Sequence, residues 1–100
     1  MKLVFSPLAR ERLREIQAHI ARDNIAAAAR VASTIRASAE ILIDYPEIGR
    51  IYAGAVRRLN VSRYPYAIFY RVDQARGEVV ILTIRHGFQL PPDFEGGGKG

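Results

Sequence analysis

An α+β fold is what this sequence predicts: an N-terminal strand, an antiparallel helical hairpin, then an antiparallel β-meander. Three observations predict it. Apolar residues recur at helical spacing through the first half, from Leu8 to Leu42. From Val56 onward the pattern changes to alternation and to short β-branched runs. Short polar or glycine-containing connections separate the segments, as expected for neighbours packed antiparallel.

Lys2 to Phe5 is a strand candidate. Ser6-Pro7 opens the first helix, with serine as N-cap and proline at the first helical position. Leu8, Leu13, Ile16 and Ile20 form its apolar stripe, about four turns long. Glu11 and Glu15 have arginines three or four positions away, a spacing that favours local ion pairs. Arg22-Asp23-Asn24 interrupts the pattern, and Asp23 or Asn24 caps a second helix that runs from Ile25 to about Asp44. Its stripe is Ala28, Val31 or Ala32, Ile35, Ala39 and Leu42, where alanines let a partner helix approach closely.

Tyr45-Pro46 ends that helix, because proline cannot continue it. Ile51 to Ala55 reads as a loop or the approach to a strand. Val56 to Arg63 alternates, with Arg58 and Asn60 on one side and Leu59 and Val61 on the other. Tyr66 to Val72 is the next strand, and Asp73 to Gly77 a hairpin loop. Glu78 to His86 is the last strand; its aliphatic run from Val79 to Ile84 suits burial on both faces. Residues 1–92 form one domain. Residues 93–100, rich in glycine, read as a flexible tail, and Leu90 to Phe94 is expected to order only with a partner.

The chain carries a net charge of +5, almost all of it from arginine, 13 residues against two lysines. Two basic zones, residues 1–22 at +3 and 57–86 at +4, flank a near-neutral middle. Arginine forks match phosphate and carboxylate, so the expected partner is a polyanion or an acidic protein. The absence of cysteine excludes disulfides and thiol nucleophiles. No metal-ligand spacing, serine triad motif or phosphate-cradling glycine loop is present, so neither metal nor cofactor is expected. No stretch is long enough to span a membrane.

The candidate binding set is Arg57, Arg58, Arg63, Arg71 and Arg85, interleaved with Tyr64, Tyr66 and Tyr70. Because alternate strand residues share a face, Arg58, Arg71 and Arg85 are expected to converge opposite the helices. Tyrosines at strand centres are more often core than stacking platforms, so Tyr66 and Tyr70 are expected inside. Arg85 beside His86 is the candidate catalytic pair, apt for cleaving RNA through its 2′-hydroxyl if the protein is a nuclease. The competing reading for His86 is a histidine hydrogen-bonded at a strand end.

Several patches together resemble the RelE/ParE toxins of bacterial toxin–antitoxin modules, over about residues 2–90. They are Ser6-Pro7 with Ala9 and Leu13 to Ile16, Pro46 to Arg50, Arg57 to Leu59, Tyr66 to Val72, and Val80 to His86. The resemblance implies a small cytoplasmic toxin, assembled as a hetero-oligomer with a cognate antitoxin whose segment wraps around it. RelE-like members cut mRNA in the ribosomal A site, and Arg58, Arg63, Arg85 and His86 lie where that branch places functional groups. ParE-like members share the fold and poison DNA gyrase. No tyrosine follows His86, and Ile84 to Gly87 followed by Gln89 is closer to the ParE side. The resemblance therefore points to a gyrase inhibitor first, and to a ribosome-dependent endonuclease as the alternative. A non-toxic basic module that binds nucleic acid is the reading from composition alone.

Overall fold

Ser6 joins the first strand to the first helix and ties both to the last strand. Its Oγ accepts the Ala9 N–H at 3.0 Å, which caps the helix, and donates to the Leu82 carbonyl at 2.9 Å. Leu82 is the extra residue of a β-bulge, so its carbonyl needs a partner outside the regular ladder. A computed structural model describes residues 1–87 and Pro92.

The elements are β1 (Lys2–Phe5), α1 (Pro7–Ala21), α2 (Ile25–Asp44), β2 (Arg50–Ala53), β3 (Val56–Asn60), β4 (Tyr66–Asp73) and β5 (Glu78–His86). The five strands form one sheet in the order β1-β5-β4-β3-β2. From β2 to β5 the sheet is an antiparallel meander, as expected. β1 adds to it in parallel beside β5, so β5 is flanked on both sides. α1 and α2 share one face of this sheet. Asn24, not Asp23, caps α2, its Oδ1 accepting the Ala27 N–H at 2.9 Å.

The main core lies between the helices and the sheet. Leu13, Val31, Ala32, Ile35, Ala39 and Leu42 descend from the helices. Ile68, Tyr70, Val79, Ile81 and Ile84 rise from β4 and β5 to meet them. Every residue expected on the α2 stripe is buried. The α1 stripe differs at its start. Leu8 is 47% exposed, and Ala9, one residue on, is fully buried. A residue as small as alanine lets α1 sit close to the sheet where Ser6 anchors it.

Two further expectations are corrected. Arg50 to Ala53 is a strand rather than a loop, paired along β3 despite a register shift between Ile51 and Ala53. Four residues are too few for alternation to stand out from a loop. β3 ends at Asn60, because the Val61 N–H turns back to the Tyr66 carbonyl at 2.9 Å and opens the connection to β4. The tail, residues 93–100, lies outside the described residues, as do Leu90, Pro91 and Phe94. Pro92, the described residue of the 90–94 segment, is buried on its own domain.

Candidate target-binding face

Strand register decides which side chains share a face. Arg58 lies opposite Phe69, and Phe69 opposite Thr83; one row along, Asn60 lies opposite Ala67, and Ala67 opposite Arg85. Directly paired residues point the same way. Ile68, Tyr70 and Ile84 point toward the helices, so these two rows look away from them. Arg71, next to Tyr70, also turns to the helix-free face, where it meets Asp73 at 3.8 Å. The expected convergence of Arg58, Arg71 and Arg85 on this face is therefore what the sheet produces.

A small second core supports the arginines. Phe69 is 1% exposed and Thr83 3%, although no helix covers them. Tyr52 packs its ring edge-on against Phe69, with centroids 4.9 Å apart, and donates its hydroxyl proton to the Pro92 carbonyl at 2.6 Å. Arg58 completes the cover: its guanidinium carbon sits 5.6 Å from the Phe69 ring centre, a cation–π contact, while Nε donates to Asn60 Oδ1 at 3.2 Å. Arg85 enters from the next row with Nε buried.

Arg50 is a residue that sequence reasoning missed. It pairs directly with Arg58 across β2 and β3, so two guanidinium groups share one ladder position on this face. Among the described residues no carboxylate lies within ion-pair distance of either. Like charges placed opposite each other destabilise a sheet, and a bound anion reverses the sign of that term. The missed signal is the local pattern Arg50-Ile51-Tyr52, which alternates once the stretch is known to be a strand.

The other predicted residues go elsewhere. Arg57 turns to the helix side, where its guanidinium donates to the carbonyls of Gly49 at 2.8 Å and Glu47 at 3.1 Å. It holds the loop that feeds β2. Tyr70 fixes the same loop from below, its Oη accepting the Gly49 N–H at 2.9 Å. Burial pushes the Tyr70 phenol above its ordinary value of 10.0, against the opposing pull of that hydrogen bond and of Arg57. Gly49 must be glycine here, because a Cβ would lie 2.6 Å from Tyr70 Oη and 2.9 Å from the Arg58 carbonyl. Arg63 is exposed in the β3–β4 connection, with a left-handed φ of 74°.

Arg85 and His86, the candidate catalytic pair, are separated by the strand itself. His86 lies opposite Tyr66 on the helix side, with the rings edge-to-face at 5.2 Å. Tyr66 is half-buried against the main core, and burial raises its phenol too. Neither Tyr66 nor Tyr70 is a stacking platform on the arginine face, as expected of tyrosines at strand centres.

A mixed sheet braced on one face by a helical hairpin, with arginines gathered on the other, is the architecture to which the comparisons with known proteins attach a family. The family model for the ParE toxin of the type II toxin–antitoxin system parDE matches residues 3–91. The chain belongs to this ParE/RelE toxin family. It is 39% identical over 82 residues to Y4kP of Sinorhizobium fredii, spanning 81% of this chain and 82% of that protein. It is 38% identical over 78 residues to toxin RelE2 of Caulobacter vibrioides, spanning 78% and 85%. Among solved structures, the chromosomal ParDE system from P. aeruginosa shares the fold, with a TM-score of 0.75, 24% identity, and 86% and 95% of the two chains covered. The isolated E. coli RelE toxin also shares it, with a TM-score of 0.66, 12% identity, and 98% and 95% covered. No helix among the described residues is long and apolar enough to cross a membrane.

Proposed function

We propose that this toxin arrests growth by binding DNA gyrase in the cytoplasm through its helix-free face, with Arg50, Arg58, Arg71 and Arg85 as the contacts. The observation that carries this reading is the sheet register, which gathers guanidinium groups from four strands while turning His86 to the opposite side. General acid–base cleavage needs its groups within reach of one scissile bond. A surface that grips without such a pair suits inhibition by binding. The match to the ParE family model supports the ParE-like branch, which is the branch the sequence resemblance ties to gyrase. Neutralisation falls to a cognate antitoxin in a hetero-oligomer, a reading supported by structural neighbours such as the E. coli RelBE toxin–antitoxin complex.

A second reading, ribosome-dependent mRNA cleavage with Arg85 and His86, is favoured by the likeness to the RelE2 toxin. One experiment separates the two. Purified toxin is added to a gyrase supercoiling assay and, in parallel, to stalled ribosomes carrying message. Gyrase inhibition that weakens at least tenfold in Arg58→Glu, with message left intact, is the expected outcome. Cut message and unaffected gyrase would overturn the proposal.

A further inference from the structure

The sheet has two outer strands, and the fold treats them differently. β1 lies beside α1 and α2, with Leu3 and Phe5 packed against the main core. β2 closes the opposite end, and among the described residues no strand lies beyond it. An outer strand carries backbone N–H and C=O groups with no partner, and it invites another strand unless something guards it. Arg50 fits the part of a guard, since a charge on an edge discourages pairing. Ile51 does the reverse, for it is 70% exposed.

The pleat splits β2 into two chemistries. Arg50 looks to the helix-free face beside Arg58, and Ile51, paired with Arg57, looks to the helix side. The helices lie nearest β1 and β5 and leave Ile51 uncovered. There a cleft of about 210 Å³ opens, lined by Glu47, Ile51, Gly54, Ala55, Arg57 and Val72. Ile48, in the turn that feeds the strand, is 55% exposed as well. One edge thus offers guanidinium groups on one side, an isoleucine and a recess on the other, and an open backbone between them. A nucleic-acid backbone would use the arginines and leave Ile51 and the recess unmatched, whereas an extended polypeptide uses all three.

We infer that an extended segment of the target protein adds to β2 as a further strand, with acidic side chains over Arg50 and Arg58 and the alternate, aliphatic ones over Ile51 and into the cleft. The inference rests on the reading of the chain as an inhibitor that binds gyrase, and it gives the contacted part of that target a chemistry: acidic and aliphatic residues in alternation. A second copy of this chain fits less well, because its β2 would bring further arginines to a face where two already repel.

The test uses full-length toxin with two probes, purified gyrase and a ten-residue peptide of alternating glutamate and valine. Ile51→Glu sets a repelling carboxylate at an exposed position, and Ile51→Thr keeps the β-branch that suits a strand; thermal melts confirm that each folds. The peptide is expected to bind wild-type toxin, to lose binding when every second backbone nitrogen is methylated, and to compete with gyrase. Ile51→Glu is expected to weaken peptide binding and gyrase inhibition about tenfold or more, with Ile51→Thr following in smaller measure. A peptide that binds no better than its methylated form would overturn strand addition. Gyrase inhibition unchanged in both variants would overturn the edge assignment and leave the arginine face as the contact. Wild-type toxin without effect on gyrase would sink the target reading, and the assignment with it. Variants that still inhibit gyrase but no longer bind the product of the neighbouring reading frame would give the edge to the neutralising partner instead. Self-association of wild-type toxin, lost in both variants by sedimentation, would give it to a second copy.

Discussion

The two faces of the sheet bury comparable side chains by different means. Toward the helices, Ile68, Tyr70, Ile81 and Ile84 lie under a roof of aliphatic residues. Away from them, Ala67, Phe69 and Thr83 are as thoroughly buried, beneath Tyr52, Arg58 and Pro92. The first cover is made only of structure. The second is made partly of side chains that also offer charge to the outside, because an arginine can lay its stem on an aromatic ring and keep its head in water. The surface proposed to bind the target is thus the lid of a core, so that proposal makes stability and binding coupled on one face and separate on the other.

Substitutions can break or sharpen that contrast. Ile81→Ala should cost about 2–5 kcal/mol and Phe69→Ala about 3–5 in denaturant titrations. The second should also abolish target binding, since Arg58 loses its seat; a cost below about 1 kcal/mol would mean the helix-free face has no core of its own. Gly49→Ala should cost about 1–3 kcal/mol, because its new methyl meets a buried phenol and a strand carbonyl rather than a movable side-chain end.

Tyr70→Phe strands the Gly49 N–H and should cost about 1–2 kcal/mol. It also carries a pH signature. The folded phenol is held above 10.0, so the unfolded chain loses its proton first as pH climbs. The contribution is present in full below pH 10.0 and drains away in the window between that value and the raised folded one. Tyr70→Phe should therefore flatten the alkaline fall in stability, leaving the part that Tyr66 contributes in the same direction. Smallest is Arg50→Glu, which turns a repelling cross-strand pair into an attracting one. It should raise stability by about 0.2–1 kcal/mol while weakening target binding, opposite signs that a purely structural arginine would not show.

Much of this was legible in the chain. Ser6-Pro7 and the pair Asp23-Asn24 announced both helix starts, and the run from Val79 to Ile84 announced a strand with buried side chains on both faces, though Val80 and Leu82 are only half-buried. The alternation around Arg58, Arg71 and Arg85 was enough to place them on one face. What stayed hidden depends on contacts between distant segments. Nothing local distinguishes Arg57, which clasps loop carbonyls, from Arg58, which looks outward; one position of register separates them. Arg85 and His86, adjacent in the chain, look like a pair until the pleat sends them to opposite sides. Leu8 and Ala9 exchange roles because the approach of α1 to the sheet, not hydrophobicity, decides which of them fits.

The pairing of β1 with β5 sets a timetable for the molecule's birth. Lys2 must wait for Glu78, and the Ser6 hydroxyl for the Leu82 carbonyl, so β1 has no seat until β5 has followed it off the ribosome. Until then the sheet is incomplete, and the arginine face, which needs β5 for Arg85, is not assembled. A toxin wired this way acquires its arginine face in one step, when β5 joins the sheet between β1 and β4.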